Sequence, residues 1–96
     1  MASGSKLRHR SKKRAQQERH YTIQRGLFLE NNPICQVKGC RSQSTEIHHK
    51  KGRIGDLLTD VRFFLAVCRS HHNYIEHNPA EAKEHGYSLS RLTNEL

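Results

Sequence analysis

Apolar residues are scarce in this chain and never run long. They make up 33% of it, and no segment reaches the roughly 20 consecutive apolar residues that a membrane-spanning helix needs. Met1–Arg10 has no apolar stretch of signal-peptide type, so export is not expected and a cytoplasmic location is. Cysteine is limited to Cys35, Cys40 and Cys68, an odd number that cannot pair completely within one chain. Ninety-six residues with so little apolar material give one small domain with a thin core, which commonly depends on a metal or on disulfides. In a reducing compartment the metal is what remains. Acidic residues are few as well: 9, against 17 Lys and Arg, for a net charge of +8. That imbalance favours a polyanionic partner, nucleic acid first, because each cation that meets a phosphate releases counterions.

The charge is concentrated. Lys6, Arg8, Arg10, Lys12, Lys13, Arg14 and Arg19 crowd the first twenty residues, with Glu18 the only acid among them. Taken alone, such a run reads equally as a solvated tail or as a phosphate contact. Met1–Arg10 is expected to be disordered. Ser11 is placed to cap a helix from Lys12 to about Leu29. The apolar residues Tyr21, Ile23, Leu27, Phe28 and Leu29 all fall in its second half, so the first turns are expected to project as a basic arm while the last dock. Asn31, Asn32 and Pro33 stop it.

Ile34–Arg41 reads as a knuckle in which Gly39 lets the chain curl back between Cys35 and Cys40. Thr45–His49 has strand character. Lys50–Asp56, with Gly52 and Gly55, is a basic loop. Leu57–Val67 is the most apolar run, predicted to begin as a helical turn and end as a short strand whose Phe63, Phe64, Leu65 and Val67 supply much of the core. A helix is expected over His71–Glu76 and another over Pro79–His85, closed by Gly86. Tyr87–Leu96 is a polar tail with Leu89 and Leu92 available for docking.

Two groups of side chains carry chemistry. Cys35-x4-Cys40 and Cys68-x2-His71 supply the thiolate and imidazole donors of a closed, structural zinc site. His72 adjoins His71, so either ring could be the fourth ligand. The second group is histidine-rich. His48 and His49 are consecutive on the expected strand and leave it on opposite faces, so one can hold a divalent ion while the other stays free as a general base. His72 and Glu76 lie four apart on the following helix and can share that ion. Carboxylate oxygen suits magnesium, and imidazole suits a transition metal. Such an assembly fits phosphodiester hydrolysis, in which a neutral histidine activates water beside a metal ion.

The stretch from Cys35 to Glu76 resembles the HNH nucleases, the ββα-metal or His-Me finger class, in their phage-type form with a zinc knuckle. The residues that carry the resemblance are Cys35-x4-Cys40, Ile47-His48-His49 and Val67-Cys68-Arg69-Ser70-His71-His72-Asn73-Tyr74-Ile75-Glu76. The Asn78-Pro79-Ala80-Glu81-Ala82 segment is similar to the one that follows the motif in phage members. The resemblance implies an α+β fold: a small zinc-stabilised ββα-metal domain over residues 31–86, preceded by a basic tail and helix (1–30) and followed by a C-terminal tail (87–96). It implies His49 as general base, with His48 and His72 as ligands of a catalytic Mg2+ or other divalent ion. Glu76 stands where colicin-type members carry a further metal histidine. His71 takes the place of the usual second-knuckle cysteine. Phe63 stands where the family's middle Asn braces the loop of the base histidine, with Asp60 and Asn73 as candidate substitutes.

The function so implied is a metal-dependent HNH endonuclease that hydrolyses DNA phosphodiester bonds, nicking or cleaving, in host cytoplasm if phage-encoded. The alternatives are a catalytically inactive zinc-stabilised DNA-binding module and an accessory protein that works with phage packaging proteins. Beside a nuclease site the basic run reads as a DNA contact, with Lys12, Lys13 and Arg14 joining Lys50, Lys51 and Arg53 of the loop after His49. Arg62 and Arg69 read individually as solvated charges. No side chain identifiable in the sequence reads base edges.

Overall fold

Residues 11–90 are described by a computed structural model; the expectations for Met1–Arg10 and for Leu92 lie outside them. The first helix, α1, spans Lys12–Asn31. Its start follows the capping rule: Ser11 is extended and its Oγ accepts the Arg14 N–H at 3.0 Å. Ser11→Ala should therefore cost about 1 kcal/mol. In a domain of this size that lowers the melting midpoint by about 4–8 °C; an unchanged midpoint would mean that the cap does not hold α1.

No residue of α1 is fully buried, and the helix is docked by polar reach as much as by apolar contact. Arg14 donates from Nη1 to the carbonyls of Arg53 (3.3 Å) and Gly55 (3.5 Å). Gln17 donates to Asp56 at 2.8 Å, Gln24 to the Thr59 carbonyl at 3.0 Å and Arg25 to the Thr45 carbonyl at 2.9 Å. The expected projecting arm is thus corrected: α1 is tied down from its first turn, because long Arg and Gln side chains reach carbonyls of the 53–59 loop that apolar patterning does not register.

Two strands form the sheet, β1 at Glu46–His49 and β2 at Phe64–Val67. They pair antiparallel with Glu46 opposite Val67, Ile47 opposite Ala66, His48 opposite Leu65 and His49 opposite Phe64. Residues directly opposite share a face. One face, with Ile47, His49, Phe64 and Ala66, turns toward α1, where the Phe64 ring meets Phe28 at 5.5 Å and Tyr21 at 5.8 Å. The other, with Glu46, His48, Leu65 and Val67, turns toward the helix α2 (Arg69–His77) and the short helix α3 (Pro79–Glu84). All four β2 residues are buried, the pattern of a strand covered on both sides.

Between the strands, Gly55–Thr59 and Val61–Phe63 form 3-10 turns. The knuckle docks on β2 through Gln36, whose N–H donates to the Ala66 carbonyl while its Oε1 accepts the Ala66 N–H, both at 2.8 Å. Gly39 turns the knuckle at φ +84°, a left-handed conformation that costs little without a Cβ. Cys35, Val37, Leu65, Val67, Ile75 and Ala82 make one core cluster, against which Cys40, Cys68 and Tyr87 pack.

Helix α2 begins at Arg69, two residues earlier than expected, because Cys68 acts as its N-cap: Sγ accepts the His71 N–H at 3.4 Å. Gly86, at φ +79°, closes α3. Within the described part of the segment read as a polar tail, Leu89 is tied back to the loop after His49, its N–H donating to the Lys50 carbonyl at 2.7 Å. Among the described residues no helix is long and apolar enough to cross a membrane.

Candidate metal centre and histidine site

The knuckle contributes Cys35 and Cys40, the α2 N-cap contributes Cys68, and the first turn of α2 contributes His71. The four ligand atoms lie within 4.8 Å of one another. Cys40 Sγ is 4.0 Å from Cys68 Sγ, and His71 Nδ1 is 3.4 Å from Cys68 Sγ and 3.8 Å from Cys35 Sγ. With Zn–S about 2.3 Å and Zn–N about 2.0–2.1 Å, the edges of a tetrahedron are about 3.8 Å between sulfurs and about 3.6 Å between sulfur and nitrogen. Donor set and spacing therefore fit a closed zinc site, and the choice between neighbouring histidines falls on His71. Backbone N–H groups support the sulfurs: the Ser42 N–H points at Cys40 Sγ at 3.4 Å and, as the main cause, pulls that thiol down to about 6. Burial pushes the Cys35 thiol up.

His72 leaves α2 on the other side, toward β1. Its Nδ1 is 2.7 Å from Glu46 Oε1 and its Nε2 is 3.4 Å from Glu76 Oε2. The His48 ring stands 5.5 Å from that of His72, and His48 Nε2 is 3.2 Å from Ser88 Oγ. Burial, followed by the neighbouring His72, lowers the His48 pKa. The imidazole and carboxylate donors of His48, His72 and Glu76 are of a type that takes a divalent ion. Their grouping is looser than that of the cysteines; among the described residues only the Cys35–His71 set brings all its donor atoms within 4.8 Å.

His49 leaves the opposite face of β1, as strand alternation requires. It is 6% exposed and its ring lies 5.1 Å from both Tyr21 and Phe64. Its Nε2 is 3.1 Å from the Leu58 carbonyl, which can only accept. Nε2 therefore carries the proton and the Nδ1 lone pair is the ring's remaining acceptor. Burial is the main cause that pushes its pKa down to about 4, so the ring is neutral at neutral pH. His48, His49, His72, Glu76, Gly52 and Arg53 together line a cavity of about 270 Å3.

The loop after His49 is braced by backbone. The Lys50 N–H donates to the Phe63 carbonyl at 2.8 Å and the Gly52 N–H to the His49 carbonyl at 3.0 Å. Phe63 offers this loop a main-chain carbonyl and no side-chain amide. Asp60 is engaged elsewhere, accepting Arg62 Nε at 2.9 Å and Nη2 at 2.7 Å, and Asn73 is exposed on α2.

The basic candidates separate. Lys12, Lys13 and Arg53 are exposed and Lys50 is half-buried. Lys13 lies 3.9 Å from Asp56, and Arg53 stacks over Tyr21 at 5.3 Å. Arg14 spends its guanidinium on the Arg53 and Gly55 carbonyls and lies 3.5 Å from Glu18. Lys51 is buried, its Nζ 4.6 Å above the Phe63 ring. Docking of α1 thereby sets the start of the helix beside the loop that follows His49. Sequence reasoning missed Glu46, Ser88, Tyr21 and the Leu58 carbonyl. Only Glu46 left a signal, lying two residues before His48 and hence on the same strand face.

No protein-family model matches this chain, and neither a curated protein nor a solved structure does. The ββα order and the Cys3His cluster are compatible with an HNH-like zinc domain.

Proposed function

We propose that the protein is a metal-dependent endonuclease of HNH type that hydrolyses phosphodiester bonds in DNA, with a structural zinc at Cys35, Cys40, Cys68 and His71. The observation that carries the reading is His49: a neutral imidazole, its Nε2–H fixed on the Leu58 carbonyl, lining one cavity with His48, His72 and Glu76. Nδ1 takes the proton from a water aligned on phosphorus, and the Tyr21 and Phe64 rings keep the imidazole from turning. His48, His72 and Glu76 would hold a divalent ion. When bound, that ion offsets charge on the phosphate and on the leaving oxygen. Arg53, which lines the same cavity, and Lys50, next after His49 in the chain, would bind the scissile phosphate, and the start of α1 would extend the cationic surface for the flanking backbone.

Supercoiled plasmid incubated with the zinc-loaded protein is expected to relax when magnesium, manganese or nickel is added, and to stay intact in their absence. A zinc-loaded protein that binds DNA and cuts under none of these ions would instead be a DNA-binding module. Phe63 at the place of the family's Asn is the observation that favours that second reading.

A further inference from the structure

Glu46 is assigned no part in the mechanism above, yet it makes the shortest contact to any group of the histidine site. It sits on β1 two residues before His48, on the same face, and reaches across to α2. Its Oε1 lies 2.7 Å from His72 Nδ1 and its Oε2 lies 2.9 Å from Arg69 Nε. The Glu46 and His72 side chains are mostly shielded, 24% and 21% exposed, whereas Arg69 is 76% exposed.

We propose that Glu46 is the positioning residue that fixes the metal-binding atom of His72. A carboxylate accepts and does not donate, so the contact at Nδ1 places the ring proton there. In the neutral ring the lone pair then belongs to Nε2, the atom that faces Glu76 Oε2 at 3.4 Å. Outer carboxylates hold metal-bound imidazoles in one orientation and tautomer in this way. Without Glu46 the ring is free to flip or to change tautomer, and a proton on Nε2 would point into the site. The ion pair with Arg69 is the solvent-exposed half of the arrangement and contributes little; it steadies the carboxylate from outside. The role rests on the nuclease reading only in that His72 is a ligand of the divalent ion.

The test pairs nitrogen NMR with metal titration, on zinc-loaded wild type, Glu46→Ala, Glu46→Gln and Arg69→Ala. At a pH of about 8.5, two units above the ordinary histidine value, the wild-type His72 ring is expected to carry its proton on Nδ1. Glu46→Ala should move it to Nε2 and weaken manganese binding about 10- to 100-fold. Glu46→Gln keeps an acceptor for Nδ1–H and should recover most of the affinity, and Arg69→Ala should stay within about twofold of wild type. A Glu46→Ala variant that binds manganese as tightly as wild type, or keeps the proton on Nδ1, overturns the role of Glu46 alone. A wild type that holds its zinc but takes up no manganese removes the divalent site, and the role of Glu46 with it.

Discussion

Protein purified from cells is expected to carry one zinc ion per chain, and stripping that ion is expected to abolish the folded state. The four donors come from three segments, the knuckle, the α2 N-cap and the first turn of α2, and the same residues form part of the core. Cys35 belongs to the core cluster, and Cys40 and Cys68 pack against it. Removing the ion leaves three reduced thiols and an imidazole crowded within 4.8 Å. What then holds the knuckle to α2 is a handful of small apolar contacts around Val37, Val67 and Ile75. A structural zinc is worth about 10–16 kcal/mol at neutral pH, against a total stability of about 5–15 kcal/mol for ordinary domains. The chelated protein should lose its cooperative thermal transition and the dispersion of its amide NMR spectrum, and one equivalent of zinc should restore both. His71→Cys should keep the ion, since four thiolates satisfy the same tetrahedron, while Cys68→Ala should not fold. A chelated protein that melts cooperatively within a few degrees of the zinc-loaded one would show that the apolar core suffices.

Legibility in the sequence followed the kind of group involved. The cysteine spacing placed the knuckle, since a metal needs particular side chains at particular separations. Ser11 placed the start of α1 for a similar reason: one hydroxyl answers one backbone N–H. The β1 alternation separated His48 from His49 correctly. The same rule applied one step earlier would have found Glu46, which shares a face with His48. The Leu58 carbonyl that sets the His49 tautomer was invisible, because a main-chain acceptor leaves no trace in residue identity. So was the bond from the Lys50 N–H to the Phe63 carbonyl, another main-chain contact. Lys51 was read as a DNA contact; it is buried instead, with its ammonium over the Phe63 ring. The docking of the last turns of α1 was legible, and Tyr21 and Phe28 do meet Phe64; that of the first turns escaped because Arg14 and Gln17 hold them, and helical apolar periodicity says nothing of such bonds.

His49→Ala is expected to lower the DNA cleavage rate about 100- to 10,000-fold, the range for loss of a positioned general base, while leaving zinc content, manganese affinity and DNA affinity close to wild type. The separation follows from the two faces of β1. His49 packs toward α1 between Tyr21 and Phe64, whereas His48, His72 and Glu76 gather on the α2 side. Removing the imidazole leaves a void beside Phe64 and one unpaired carbonyl at Leu58, so the variant should melt lower in a thermal scan while its zinc content stays that of the wild type. His49→Gln controls for this, since its amide can still donate to Leu58 and fill part of the space but offers no lone pair of comparable basicity at the Nδ1 position. Equal loss of cleavage in both variants, with plasmid binding retained, identifies the lost group as the base. Full cleavage by either zinc-loaded variant would remove His49 from the chemistry. The proton from water would then have to be taken by another group of the cavity, with the side chains of His48, His72 and Glu76 the remaining acceptors among its lining residues.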